Sequence, residues 1–457
     1  MKIPNEKRKT FLIISIILVL YIRKDLYISG LINKYMKKIE IFKFLIKEFH
    51  ESKQPDLISR DLTLPQTNKI ITVSGSRRSG KTFYFYQIIK NLLKEIPYER
   101  IVYINFEDDR ILPINVEDLD CILESYYELY PENKKEEIYL FFDEIQNINN
   151  WEIYIRRIYD KEKVRIFVTG SNSRMLSKDI ATSLRGRTLT FNIFPLSFKE
   201  FLNFNDVNLN KNFEYSTDRF KIKKLFDDYL NFGGFPEVVN EKNNLEEDIL
   251  RNYFDVMIYR DIVERFSVRN ITLLKELSKF ILTNISSPFS INAYYTSMRQ
   301  KMAVSKETLF EYTYYLEESG MIFLVPLFTY SLKRQQTNPK KVYCIDNGLR
   351  NAVSFLFSKD EGKLAENIVF LELKRKNNEI FYWKNGGEVD FIVKNGKKIS
   401  AINVTYSNNI NKREKDSLLE FKEKFKPDKI LIITKDIDEK EGDIIYLPLW
   451  KWLLQKN

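Results

Sequence analysis

The residues best placed to do chemistry form one short run, Gly75, Ser76, Arg77, Arg78, Ser79, Gly80, Lys81 and Thr82. A GxxxxGKT loop of this kind takes phosphate. Its two glycines let the backbone turn tightly, so its N–H groups surround the anion, while Lys81 reaches the β/γ oxygens and Thr82 holds Mg²⁺. A helix starting near Thr82 adds its positive end. The alternative, a glycine-rich turn before a helix, lacks a reason for the β-branched run Ile70–Val73 in front and the amphipathic pattern behind.

A second element lies about sixty residues on, where the apolar Tyr139–Phe142 ends in Asp143 and Glu144. Two acids after a buried strand have the form of a Walker B element. Asp143 would orient Mg²⁺ through water and Glu144 would polarise the attacking water. A solubilising loop has the same composition, and it is the distance from the phosphate loop that favours chemistry. Beyond the next strand, Ser171 and Asn172 stand where a polar side chain would sense a terminal phosphate, or cap a helix over 174–184. Arg185 and Arg187 follow in LRGRT. Either is an arginine finger for a neighbouring subunit's nucleotide, or part of a solvated basic turn.

Positioning these residues takes alternating strands and helices, as in an α/β parallel sheet. Strands are expected at 70–73, 100–105, 138–142, 164–169 and 188–194. Helices are expected at 82–95, 117–130, 151–160 and 174–184. A further amphipathic helix over 37–51, with Ile39, Phe42, Ile46 and Phe49 on one stripe, should pack on this core.

The 457 residues exceed one ordinary core, and 44% apolar with 30% charged content describes a globular chain. Net charge is +10, but residues 1–60 hold 13 Lys+Arg against 6 Asp+Glu, so the remaining body is close to balanced. A basic pI is therefore a poor argument for nucleic-acid binding by that body. Cys121 and Cys344 are the only cysteines and are far apart, which suits a reducing cytoplasm and excludes a zinc finger. The single histidine, His50, is expected on the surface, so histidine-based triads and metal sites are absent.

Residues 1–35 form an apolar, basic leader. The run Phe11–Ile22 is short for a bilayer, and extending it would bury Arg23, Lys24 and Asp25. A membrane anchor is disfavoured, and a misassigned start, with translation beginning at Met36, is the alternative.

The ordered set GSRRSGKT, FFDEIQNINNWE, VTGSNSRML, LRGRT, FPLSFKEF and GGFPEVV resembles the AAA+-like ATPases of archaea and bacteria, from about Met36 to the end. The resemblance implies an α/β fold: an AAA+-type P-loop NTPase core of five strands with a helical lid, a winged helix, and a C-terminal α/β restriction-endonuclease-like domain. ATP and Mg²⁺ are the implied ligands. The corresponding boundaries are a leader over 1–35, the core over 36–195, the lid over 196–245, a helical and winged-helix unit over 246–350, and the nuclease-like unit over 351–457. In the lid, Gly233, Gly234, Phe235 and Pro236 are similar to a turn that approaches the nucleotide, or form an ordinary helix connector.

In 246–350 a helix over 304–319, the strand-like MIFLVPLF and a basic hairpin at SLKRQQTNPKKV follow the order of a winged helix. Lys306, Lys333, Arg334, Lys340 and Lys341 would contact phosphates if it binds DNA. A packing module, with Tyr312, Tyr314 and Tyr315 in its core, is the other reading. Restriction-like nucleases hold metal with an acid on a first helix, an Asp on a strand and an ExK pair on the next strand. Glu366 and Asp390 match the first two, but Asn403 and Thr405 stand at the Glu and Lys places. The unit is expected to be nuclease-like in shape and inactive unless Lys384, Lys394 or Lys398 supplies the missing cation.

Three functions follow, in order of preference. The first is a Mg²⁺-dependent ATP hydrolase, homo-oligomeric if Arg185 or Arg187 acts across subunits. The second is a slow ATP-switched regulator that binds DNA or protein. The third is a metal-dependent nuclease.

Overall fold

The computed structural model describes residues 35–170, 182–207, 209, 213–215, 217–241, 243–300, 304–354 and 360–455. The leader up to residue 34, Ser171, Asn172 and nearly all of the helix expected over 174–184 lie outside them.

Five parallel strands, β1 (Ile70–Ser74), β2 (Ile101–Asn105), β3 (Ile138–Asp143), β4 (Val164–Gly170) and β5 (Thr188–Asn192), are ordered β2-β3-β4-β1-β5. Every residue of β1 is buried, as a parallel strand covered on both faces requires. Because the chain runs off β1 to one side and returns on the other, the loops after β1, β3 and β4 open at one edge of the sheet, where such folds bind ligands. Helix α1 (residues 35–51) buries Ile39, Phe42, Ile46 and Phe49, spaced three or four apart on one stripe. Helix α2 (Lys81–Leu92) turns Tyr84, Phe85 and Ile89 inward, with the Phe85 ring edge-on to Phe141 at 5.2 Å.

His50 departs from the expectation of a surface residue. Its Nδ1 lies 2.8 Å from the Tyr130 hydroxyl and its Nε2 2.8 Å from the Ile101 carbonyl, so it ties α1 to the start of β2. Burial holds its pKa below the ordinary histidine value. The Lys/Glu-rich composition around it concealed this, because the stripe that decides the helix face is apolar.

Beyond the parallel sheet, one continuous apolar core extends from Phe194 to Leu454. It takes in the helices Phe198–Phe204, Asp218–Phe232 and Glu246–Val256, then a three-stranded antiparallel sheet of β6 (Ser287–Phe289), β7 (Ile322–Val325) and β8 (Lys340–Cys344), ordered β6-β8-β7. The basic hairpin expected between β7 and β8 is instead a short helix, Leu332–Thr337, capped by the Ser331 hydroxyl accepting from Arg334 N at 3.3 Å. A serine followed by residues with good helix propensity explains it.

The last sheet runs β13-β14-β12-β11-β10-β9, from β9 (Glu379–Asn385), β10 (Gly387–Asn395), β11 (Lys398–Thr405), β12 (Lys429–Thr434), β13 (Glu439–Glu441) and β14 (Ile444–Pro448). Strand alternation in β12 sends Leu431 and Ile433 to the face covered by the helix Glu361–Arg375. Ile430 and Ile432 face the helix Lys412–Phe425. The β9/β10 register shifts between Val389 and Ile392, a bulge that includes Asp390. Among the described residues, no helix is long and apolar enough to cross a membrane.

Candidate functional site

Gly75 leaves β1 against the backbone of the segment after β5. A Cβ on it would stand 2.2 Å from the Ile193 carbonyl oxygen, so only glycine fits. Gly80 has φ +94° and caps α2, and Arg78 between them also has positive φ at 64°. The loop is thereby wrapped back over the helix N-terminus. Inside it the Ser76 hydroxyl is buried and has no hydrogen-bond partner, an orphaned donor that a phosphate oxygen would satisfy. Lys81 is buried too. Its Nζ donates to the Ser76 carbonyl at 3.2 Å and lies 3.3 Å from Glu144 Oε1.

At the end of β3, Asp143 is fully buried. Its Oδ2 accepts from Thr82 Oγ1 at 2.7 Å and from the Tyr103 hydroxyl at 2.9 Å, and its Oδ1 accepts from Thr169 Oγ1. Burial raises its pKa, while the bonds from Thr169 and Thr82 pull the other way. Thr82 and Asp143 are thus side by side, with the hydroxyl and carboxylate oxygens that suit Mg²⁺. Glu144 takes a left-handed conformation, φ 52°, and its backbone N–H donates to Thr169 Oγ1 at 3.0 Å. Burial acts to raise Glu144, yet the Lys81 ammonium and the Gln146 amide hold it below the ordinary glutamate value. A non-glycine residue held at positive φ beside a phosphate loop is strain of the kind found at working sites.

Sequence reasoning missed Thr169, the last threonine of β4, which joins Asp143 to Glu144. Its signal was present in VTGSNS, two residues before Ser171. Arg60 was also missed. Its guanidinium donates to the Ser79 carbonyl at 2.7 Å, the Phe194 carbonyl at 2.7 Å and Glu200 Oε1 at 2.9 Å, so it straps the back of the loop to the segment after β5. Pro236 of the expected lid turn reaches Gly80, and Gly234 N donates to Asp346 Oδ2 at 2.7 Å. That turn is therefore beside the phosphate loop and tied to the units that follow it.

Arg185 and Arg187 are placed elsewhere. Arg187 pairs bidentately with Asp160, at 2.9 and 3.0 Å, and its carbonyl accepts from Ile70 N at the start of β1. Both arginines sit at the opposite end of β1 from Gly75, out of reach of this chain's own loop.

The C-terminal acids meet an unexpected cation. Lys341, expected to face nucleic acid, is buried, and its Nζ lies 2.7 Å from Glu388 Oε1, 2.8 Å from Asp390 Oδ1 and 3.2 Å from Glu366 Oε1. Burial opposes its charge, but Asp390 and Glu366 raise its pKa well above the ordinary lysine value. Burial and the Asp390 charge push Glu366 up to about 8. Lys384 touches only the other oxygen of Glu388 and Lys394 pairs with Glu379, so neither bridges the three acids as Lys341 does. Asn403 accepts from Asp390 N at 3.0 Å and donates to Glu414 Oε2 at 2.7 Å. Among the described residues, no group of three or more His, Cys, Asp or Glu is arranged to hold a metal. Of the expected basic contacts, Lys333 and Arg334 are exposed on the short helix, and Lys306 lies over the Tyr295 ring. Tyr312 is buried whereas Tyr314 is exposed.

Residues 67–202 match the model of an AAA domain. Residues 223–360 and 361–452 match two domains of unknown function, DUF8612 and DUF4143. An uncharacterized protein of Methanocaldococcus jannaschii, MJ1544, is 36% identical over 454 residues, covering 94% of this chain and 98% of that protein. This chain belongs to the same family. An uncharacterized Haemophilus influenzae protein is 32% identical over 413 residues, 87% of this chain and 99% of its own length. Among solved structures, the Walker-type ATPase PABY2304 of Pyrococcus abyssi superposes with a TM-score of 0.41 at 14% identity, over 62% of this chain and 90% of that one. In this family member Lys81, Thr82, Asp143 and Glu144 all fall within the residues that match the AAA domain. The Lys341 cluster falls across the border of the two domains of unknown function, joining a residue of the first to three of the second.

Proposed function

We propose that this protein binds ATP with Mg²⁺ at the AAA domain and hydrolyses it. The observation that carries this reading is the meeting of Thr82 with Asp143, and of Lys81 with Glu144, at the edge of the sheet where the loop leaves β1. Lys81 and the loop N–H groups hold the phosphates, and Thr82 and Asp143 hold Mg²⁺. The ion, when bound, neutralises charge on the phosphate oxygens. Glu144 takes the proton of the attacking water, and Thr169 fixes both acids. Measuring nucleotide binding and phosphate release tests this. Lys81→Ala should abolish binding, whereas Glu144→Gln should keep it and stop release. Normal release by Glu144→Gln would refute the role of Glu144.

A slow, ATP-switched binding protein is the second reading, favoured by one observation. Lys333 and Arg334 stand exposed on the helix Leu332–Thr337, open to a partner, while Lys341 fills the acids of the C-terminal unit. In that reading the 246–350 unit, as a winged helix, presents Lys333 and Arg334 to DNA, and the nuclease-like C-terminal unit, filled by Lys341, is an inactive binding module. Steady-state ATPase rates with and without duplex DNA separate the two. Arg185 or Arg187 serves as a finger only for a neighbouring copy, so this role requires a homo-oligomer.

A further inference from the structure

The third residue of the phosphate loop is held by a part of the chain that lies outside the AAA domain. Arg77 Nε donates to Asp261 Oδ1 at 2.9 Å, and Arg77 Nη1 donates to Glu107 Oε1 at 3.0 Å. Asp261 is 1% exposed and lies on the π-helical segment Met257–Val263. Such segments, with their extra residue per turn, recur at functional positions. The other carboxylate oxygen of Asp261, Oδ2, is buried and has no hydrogen-bond partner. Asp261 is close enough to Lys81 and Glu144 to feel both charges.

A buried carboxylate with one oxygen unsatisfied is costly, so Asp261 depends on its bond to Arg77. A triphosphate entering this loop brings several negative charges toward Lys81 and Arg77. It repels Asp261 and competes with it for the guanidinium, whose planar fork suits phosphate as well as carboxylate. A diphosphate lacks the terminal group and competes less.

We propose that Asp261 is a positioning residue of the nucleotide site: it holds Arg77 until a terminal phosphate takes the guanidinium over, so the helical segment Met257–Val263 reads ATP against ADP through this one exchange. The proposal rests on the ATP-binding reading above. Arg77 is then the phosphate contact, and Asp261 acts through it. Glu107, on the loop after β2, is the second restraint and is more exposed.

The test uses the full chain and displacement of a fluorescent ADP analogue by ADP and by the non-hydrolysable analogue AMPPNP. Asp261→Asn removes the competing charge at constant size. It should tighten AMPPNP relative to ADP by about tenfold, the scale of one charge-assisted hydrogen bond. Glu107→Gln should shift the ratio the same way by less, and it keeps the test alive if Asp261→Asn does not fold. Arg77→Ala should lower the preference for AMPPNP and make Asp261→Asn silent in the double variant. A merely structural ion pair would alter melting temperature and leave the ratio alone, and that result overturns the proposal. So does an Asp261→Asn shift that persists without Arg77. Wild-type protein that binds neither nucleotide overturns the ATP-binding reading itself, a different result from binding both without the predicted ratios.

Discussion

The ammonium of Lys81 and the carboxylate of Glu144 lie 3.3 Å apart, both buried, so the cation proposed to bind phosphate and the acid proposed to activate water are each other's partner. In the proposed reading an incoming phosphate takes Lys81 from Glu144, and in doing so it frees the acid. Glu144→Gln removes the competition and the base together. We expect nucleotide to bind severalfold more tightly and phosphate release to fall by about 10²–10⁴, the scale of a lost general base. Weaker binding by Glu144→Gln in an equilibrium titration would show that the pair does not compete with phosphate.

Thr169 gives a second prediction, because one hydroxyl serves both acids. Thr169→Val keeps the shape but strands the Glu144 N–H and one oxygen of Asp143. The AAA domain should lose about 1–3 kcal/mol of stability, and the Mg²⁺ dependence of nucleotide affinity should weaken. Thr169→Ser should restore both. Denaturant melts and Mg²⁺ titrations of the three proteins check this, and an unaltered Mg²⁺ dependence in the valine variant would remove Thr169 from the site.

Lys341→Met leaves Glu366, Glu388 and Asp390 facing one another without their cation. Removing one member of a buried ion pair costs about 3–5 kcal/mol. The loss should appear as earlier unfolding and faster proteolysis across residues 340–405, with ATP binding retained. Metal-dependent DNA cleavage by the wild-type chain, lost on Asp390→Ala, would contradict an inactive unit.

Asp346 carries a pH signature. Its Oδ1 accepts from Leu349 N at 3.0 Å and its Oδ2 from Gly234 N at 2.7 Å, but full burial still pushes its pKa from 3.8 up to about 6. A carboxyl raised on folding binds its proton more tightly in the native chain. Its contribution to stability therefore falls as pH rises from about 4 to about 6, and is constant above. Asp346→Asn should remove that component. A plot of melting temperature against pH should differ in slope between variant and wild type in this window, and parallel plots would refute the assignment.

Much of the AAA domain was legible because its signals are local. The strand at 70–73 and the helices at 82–95 and 151–160 were found to within a few residues, since apolar period and glycine placement act over one turn. His50 was misread because its partners, Tyr130 and Ile101, are 80 and 51 residues away. The basic stretch 331–341 was read as one surface hairpin, whereas Lys333 and Arg334 point outward from a helix and Lys341 points inward from β8. Composition does not record the face a lysine takes.

The sequence by itself determined the loop, because a phosphate cradle is made by consecutive backbone groups and needs Gly75 and Gly80 where they stand. It also determined that Asn403 and Thr405 depart from the ExK pair that the nuclease resemblance implies, since an amide and a hydroxyl cannot stand in for that carboxylate and ammonium. Only the tertiary structure decided which partners the charged groups take. Arg77 meets Asp261 across 184 residues, Lys341 fills the acids around Asp390, and Arg187 turns to Asp160 at the far end of β1. Buried charges must find partners of opposite sign. Long-range packing selects which ones, and that choice is not written in the spacing of neighbours along the chain.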